Sequence, residues 1–374
     1  MLEGKTILNT KGRRSKMKKV TAFVTALSMV VVLTACGSKG NIEENPVTTE
    51  KPTQAEDSKE EDTANEGLGE FEEKVEINIA LHTADGIHDE AVKLFKTKVE
   101  EASKGAITVN VYENGTLGTE AENVTQLSSG EIECAILSTL YSGNILAEWD
   151  ATAIPFLFRS MEDVEAYWYE YWDEMQEQSI KDSNIRMIDL LTRGSRCLSA
   201  DHEILEPSKL SGFKLRLPET TSWLTVWKAL GANCTAVNWN ETYTALQNGV
   251  VDGQENPAAT AFSANIQEVN SYMMKTNHVY QYFYWCFNED FWQSLPEHYR
   301  TLIQSTADEC AEYCAQIAEE KTTYFEEELQ KAGMTILDVD FDTWQKAAVP
   351  GIKEAADVLN DTAKAYVYQM LGEQ

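Results

Sequence analysis

The chain has 374 residues, 43% of them hydrophobic, enough for one large domain or two medium ones with substantial cores. Its 31 Lys and Arg face 61 Asp and Glu, a net charge of −30; the first 35 residues hold seven of the basic residues and one acid, leaving 24 against 60, net −36, for the remainder. A surface that acidic excludes nucleic acid and anionic membrane as partners and repels anions at long range, yet a Debye length of about 8 Å leaves an arginine inside a cleft able to govern binding locally.

Residues 17–36, MKKVTAFVTALSMVVVLTAC, have a basic start, an apolar core of about fifteen residues and small residues before Cys36. The run is too short for a comfortable membrane span and reads as an export signal, with Met17 an alternative start to Met1. Residues 37–73 are rich in Glu, Asp, Thr, Ser, Asn and Pro and have almost no large apolar residue before Leu68 and Phe71. Such a segment cannot bury enough surface to offset its chain entropy. It is expected to be a tether, with roughly 36 flexible residues spanning about 30–36 Å end to end.

The folded part opens with VEINIAL at 75–81, an alternating strand, and a helix over about 89–103 whose apolar face is Val92, Phe95, Val99 and Ala102. Ile107, Val109 and Val111 alternate through a second strand, a short helix ends near Gly130, and Cys134 to Leu137 form an apolar run of buried-strand type. This order predicts a parallel α/β domain. His82 and Thr83 follow the first strand, and Ser138 and Thr139 the third, where open α/β sheets place their ligands. All four are candidate cleft residues; each reads equally well as a loop polar group bonded to backbone or water.

An aromatic helix is predicted over 161–179, with Tyr167, Trp168, Tyr169, Tyr171 and Trp172 covering more than one face, as core packing would require. Residues 187–191 form a strand leading into Thr192-Arg193-Gly194-Ser195-Arg196. Then comes GFKLRLPETTSWLTVWKALGANCTAVNWNETYTALQNGVVDGQENP, residues 212–257: a strand at 213–217 stopped by Pro218, a helix over 222–230 ended by Gly231, a second helix from near Glu241, and the turn-rich VDGQENP. Arg216 carries a planar, permanently charged fork that can hold a carboxylate through two parallel hydrogen bonds; the alternative is a strand-end arginine paired with one of the many acids. Trp239 offers an indole platform for the apolar face of a sugar, or else sits in the core. Glu219 and Trp223 are looser candidates. Beyond Pro257 a helical stretch near 262–273, a strand at 280–287 and a long helix over 299–333 are expected, the last with Ile303, Ala307, Cys310, Cys314 and Ile317 as its buried stripe.

Seven cysteines form no C-x-x-C, five histidines form no H-E-x-x-H, and there is no G-x-S-x-G, Walker loop or dinucleotide fingerprint. Enzyme chemistry, metals and cofactors have no foothold in these motifs. The block 212–257 resembles the signature region of the substrate-binding subunits of tripartite ATP-independent periplasmic (TRAP) transporters, the DctP-like family. Tyr112, Leu117 and Gly118, the run Pro155 to Phe158 and the N-x-x-x-W-x-x-L-P segment from Asn288 extend the resemblance over roughly residues 75–371. Leu33-Thr34-Ala35-Cys36 likewise resembles the lipobox of bacterial lipoproteins, in which the cysteine receives a diacylglycerol; the alternatives are a plain secretory signal or a hydrophobic anchor.

The resemblance implies a two-lobed, periplasmic-binding-protein-like α/β fold with a central ligand cleft, hinge strands and a long helix spanning both lobes. Lobe I would take about 75–193 and 282–321, lobe II about 194–281 and 322–374, with 1–35 as signal and 36–73 as lipidated tether. It implies that Arg216 clamps a substrate carboxylate, that Arg196, twenty residues earlier, contacts it too, that Asn256 hydrogen-bonds the ligand from a loop, and that Trp239 lines the cleft. A monomeric receptor is expected, lipid-anchored to the outer face of the membrane, handing an organic acid to a TRAP permease driven by an ion gradient. A sugar acid such as a uronate is favoured over a C4-dicarboxylate, an α-keto acid or a sialic acid. A receptor for a sensor kinase and a glycan-processing surface lipoprotein remain as rival classes.

Overall fold

The computed structural model of the chain describes residues 71–84 and 86–372. The export signal, Cys36 and nearly all of the tether lie outside them. In chain order the elements are β1 (Val75–Leu81), α1 (His88–Ala102), β2 (Ile107–Tyr112), α2 (Glu120–Ser129), β3 (Cys134–Leu137), α3 (Thr139–Ile145), α4 (Met161–Glu170), α5 (Trp172–Ser183) and β4 (Ile185–Ala200). They continue with β5 (Lys214–Leu217), α6 (Thr221–Ala229), β6 (Asn233–Ala236), α7 (Trp239–Gln247), β7 (Gly253–Asn256), α8 (Ala258–Ser263) and β8 (Tyr272–Asn288). Last come α9 (Glu289–Ser294), α10 (Glu297–Lys331), β9 (Thr335–Asp338), α11 (Phe341–Ala356) and α12 (Asp361–Met370).

The strands form one sheet in the order β2-β1-β3-β8-β4-β7-β5-β6, with β9 also on β8. Its frame is the antiparallel pair β4 and β8, 16 and 17 residues long, in register from Ile185 opposite Asn288 to Ala200 opposite Tyr272. The C-terminal part of β8 also pairs with β3, on which β1 and β2 continue in parallel. The C-terminal part of β4 pairs with β7, and the N-terminal part of β8 with β9. One two-stranded ribbon therefore runs from a half built on β1–β3 into a half built on β5–β7 and β9. Its register shifts between Met187 and Asp189, Thr192 and Gly194, and Arg196 and Leu198, and bulges of this kind bend a strand and re-aim its side chains.

The helices cover the ribbon for the reasons their sequences give. In α10, Ile303, Ala307, Cys310 and Cys314 are buried as their spacing predicts, while Ala318 takes the next buried place and Ile317 is only partly covered. The helix packs on α1 and β4 and, further along, on α8 and β9, so it reaches both halves. Against the other face sits an aromatic cluster that includes Trp168, Trp223, Trp227, Tyr284 and Trp344.

Several elements differ from the sequence-based expectation. The sheet is mixed, because β8 returns antiparallel to both β3 and β4. The single aromatic helix is two, broken at Tyr171 (φ −113); Tyr167, Trp168 and Trp172 are buried, while Tyr169 and Tyr171 are only partly covered. The strand expected at 187–191 continues through the arginine segment to Ala200, and the one expected at 280–287 begins at Tyr272, because each long strand supplies the other's hydrogen bonds. The helical stretch foreseen near 262–273 is limited to α8 and a 3-10 turn, Ile266–Glu268. The turn-rich Gly-Gln-Glu-Asn segment is strand β7, held between β4 and β5 with all four residues buried.

Gly253 shows why that strand starts with glycine. A Cβ there would lie 2.3 Å from the Ser199 carbonyl oxygen and 2.5 Å from Phe213 Cζ. Gly253→Ala is expected to cost about 1–3 kcal/mol through overpacking, read as a lower urea midpoint. Gly143→Ala, in α3 with no atom within 4 Å of the added carbon, is expected to show no loss.

Candidate functional site

The bulged stretch of β4 turns two arginines inward. Arg193 and Arg196 are 4% and 3% exposed, and both donate to the same oxygen, Gln281 Oε1, at 3.0 and 2.6 Å. The Arg196 fork closes on Glu255, Nε to Oε2 at 2.5 Å and Nη2 to Oε1 at 2.9 Å, and Nη2 also reaches the Glu255 carbonyl at 2.6 Å. The guanidinium lies over the Trp223 ring, 4.6 Å from its centroid, and the indole is itself fixed by a 2.5 Å hydrogen bond from Nε1 to the Ala153 carbonyl. Glu255 Oε2 is also 3.0 Å from His278 Nε2, while Thr276 Oγ1 is 2.8 Å from His278 Nδ1. This pairing sets the tautomer: Nε2–H donates to Glu255 and Nδ1 accepts from the threonine.

Burial alone would push the Glu255 carboxyl up, but the Arg196 charge and the hydrogen bonds from His278 and Arg196 hold it down at about 2. Burial lowers the His278 pKa against the pull of Glu255. Arg196 is thus paired inside the protein, and of its five N–H groups one on Nη1 has no partner among the described residues. Arg193 donates to Thr260 Oγ1 at 2.8 Å and lies 4.8 Å over the Phe283 ring, whose centroid is also 4.4 Å from that of His88.

Arg216, on β5, is different. It is 3% exposed, and its hydrogen bonds go to one backbone oxygen, that of Val237, from Nε at 2.9 Å and Nη2 at 2.6 Å. Among the described residues no carboxylate answers it, so both Nη1 protons and one on Nη2 remain open. Burial pushes its pKa down to about 10, with Glu255 opposing and Arg196 adding to the fall; it stays cationic at neutral pH. Trp239, the first residue of α7, is half-buried rather than in the core, its ring centroid 5.6 Å from the Arg216 guanidinium carbon. Asn256 ends β7 at 3% exposure, its Nδ2 donating to Gln254 Oε1 at 2.7 Å.

The ends of β1 and β3 contribute the remaining candidates. His82 Nδ1 is 3.7 Å from Glu120 Oε2, and burial lowers the ring's pKa, Glu120 opposing, with the charges of Arg193, His88 and Arg216 adding. The Thr83 carbonyl is 2.7 Å from His88 Nε2, and its hydroxyl is buried without a partner among the described residues. Ser138 donates through Oγ to Glu120 at 2.9 Å, and Thr139 opens α3. Glu219 is exposed. Sequence reasoning missed Glu255, His278, Gln281 and Glu120. Glu255 stood in the quoted motif, but with four consecutive buried residues β7 has no alternation to flag it.

The internal pair gives a test. With a folded pKa of about 2 against an ordinary 4.5, Glu255 contributes stability that is complete above pH 4.5 and is lost as pH falls towards 2. Glu255→Gln, which leaves Arg196 buried without its counter-charge, is expected to lower stability at pH 7 by about 3–5 kcal/mol. The gap between the two proteins in urea unfolding is expected to close between pH 4.5 and 2.

The family model of bacterial extracellular solute-binding proteins, family 7 (DctP), matches residues 79–357. A solute-binding protein of Roseobacter denitrificans is 33% identical over 266 residues, 70% of this chain and 80% of its own. The C4-dicarboxylate-binding periplasmic protein DctP of Rhodobacter capsulatus is 25% identical over 268 residues, again 70% of this chain and 80% of its own. The crystal structure of a TRAP periplasmic solute-binding protein from Roseobacter denitrificans with bound L-galactonate matches with a TM-score of 0.74 at 27% identity, covering 80% of this chain and 99% of that one. A further one, from Bordetella bronchispeptica with density interpreted as pantoate, matches with a TM-score of 0.73 at 25% identity, covering 79% and 99%. The chain therefore belongs to the DctP family of bacterial extracellular solute-binding proteins, and it has the two-lobed fold of the TRAP solute receptors.

Proposed function

We propose that this chain is an extracytoplasmic receptor that binds an organic acid, with a sugar acid such as an aldonate or uronate favoured, and delivers it to a TRAP-type permease driven by an ion gradient. The observation that carries this reading is the Arg216 fork, buried yet unanswered by any carboxylate among the described residues. A ligand carboxylate would supply the missing partner through two parallel, charge-assisted hydrogen bonds. Trp239 would pack on the carbon chain, and Asn256 stands at the end of β7 to meet a polar group. The relative with L-galactonate supports a sugar acid, and the C4-dicarboxylate-binding relative marks the main competitor.

In this reading lobe I comprises about 75–193 and 282–321 and lobe II about 194–281 and 322–374, hinged at the bulged part of β4 and β8. Closing on the anion would supply the differential affinity that shifts the open–closed equilibrium. The receptor acts as a monomer, held at the outer face of the membrane by a lipid on Cys36 and given reach by the acidic tether of residues 36–73. No helix of the described residues is long and apolar enough to cross a membrane.

A thermal-shift screen with uronates, aldonates, sialic acids, C4-dicarboxylates and 2-oxoacids, with neutral sugars as controls, tests the ligand class. At 100 times its dissociation constant a ligand adds about 2.7 kcal/mol to the native state. Arg216→Met is expected to weaken binding by about 2–5 kcal/mol while leaving the ligand-free protein no less stable, because it removes a buried charge that lacks a partner. Equal response to neutral sugars, or an Arg216→Met protein that binds as before, would refute the clamp. For the anchor, Cys36→Ala is expected to abolish labelling by a radioactive fatty acid and to release the protein from the membrane fraction.

A further inference from the structure

Two groups on the β1–β3 half have no part in holding a carboxylate. Glu120 is the first residue of α2, where the helix N-terminus favours a negative charge. It is 3% exposed and accepts hydrogen bonds from the Ser138 backbone N–H at 2.5 Å and from its hydroxyl at 2.9 Å. Its Oε2 lies 3.7 Å from Nδ1 of His82, too far for a hydrogen bond but close enough to favour the proton on that nitrogen. Nε2 is then left as a lone-pair acceptor. The ring is 23% exposed, forms no hydrogen bond among the described residues, and stands at the carboxyl end of β1, where ligands of open α/β sheets lie. Beside it the Thr83 hydroxyl is buried and without a partner among the described residues.

We propose that His82, backed by Glu120, reads a hydroxyl on the ligand's chain from the carboxyl end of β1, so that the receptor takes acids with one carboxylate and a hydroxylated chain and rejects the corresponding diacids. This rests on Arg216 as the carboxylate site. A neutral imidazole nitrogen accepts from a hydroxyl proton, whereas a second carboxylate brings only lone pairs to that nitrogen and faces the Glu120 charge behind it. Protonating the ring to suit a diacid is opposed by its burial and by Arg193 and Arg216, with Glu120 pulling the other way. The Thr83 hydroxyl adds a second neutral group suited to a polyol chain. Discrimination then comes from an element that repels the wrong ligand as well as from one that holds the right one.

Titration calorimetry on the purified mature protein can use three pairs in which a terminal hydroxymethyl becomes a carboxylate: L-galactonate and galactarate, D-gluconate and glucarate, 4-hydroxybutanoate and succinate. A different acid found in the screen above is paired with its own diacid. In every pair that binds, the monoacid is expected to bind at least about tenfold tighter. His82→Lys, which places a cation where the structure has a neutral ring, is expected to bring the two within about threefold or to reverse them, and Glu120→Gln to narrow the gap with the same sign. His82→Lys keeps the test valid should Glu120→Gln fail to fold. A wild-type protein that binds the diacid equally or more tightly, or a preference that His82→Lys leaves unchanged, overturns this proposal and leaves the carboxylate at Arg216 standing. If no acid binds at all, the Arg216 reading falls and this one with it.

Discussion

A guanidinium taken out of water must be answered by a counter-charge, or its desolvation is left uncompensated, and this structure meets that condition at Arg196 while leaving it open at Arg216. Arg196 is held by both oxygens of Glu255, and Glu255 in turn by His278 and through it by Thr276. Trp223 lies beneath the arginine and Gln281 beside it. These contacts tie β7, β8, α6 and the bulged part of β4 into one polar unit of known protonation. The carboxylate within it is ionised down to about pH 2, so the unit keeps its charge pattern across any physiological range.

Arg216 has no such carboxylate partner among the described residues. Its hydrogen bonds to Val237 fix the plane of the fork, Trp239 covers one side, and burial, opposed by Glu255 and reinforced by Arg196, lowers its pKa only to about 10, which leaves a cation with open donors. On the proposed reading, such an arrangement would sacrifice some stability of the empty protein for affinity, a trade common at binding sites. It would also reconcile a chain this acidic with the anionic ligand proposed for it. The surface charge is screened within about 8 Å in salt, whereas the cleft arginine acts in a medium of lower dielectric at contact distance.

The ribbon of β4 and β8 makes the geometry possible. Both strands run unbroken through both halves, yet the register shifts at Thr192/Gly194 and Arg196/Leu198 let Arg193 and Arg196 point to a common oxygen although they are three residues apart. A regular strand would send residues i and i+3 to opposite faces.

How much of this was legible in the sequence follows the range of the interactions concerned. The alternation of VEINIAL, the stripe Ile303, Ala307, Cys310 and Cys314, and the glycine and proline stops are local patterns, and they located β1, α10 and the boundaries around β5 and α6. The KLRLP and DGQENP segments, with the arginine twenty residues upstream, were specific enough to indicate the family. What stayed hidden were facts about partners distant in sequence. That Gln-Glu-Asn is a strand depends on β4 and β5 lying on either side of it. That Arg196 is neutralised while Arg216 is not depends on Glu255, 59 residues from the first, falling opposite one guanidinium and not the other. Sequence determined which residue types were available and which strongly periodic segments would be helix or strand, because that periodicity follows from spacing along one chain. Only the tertiary structure decided which charges meet, because that depends on how strands far apart in sequence are placed side by side.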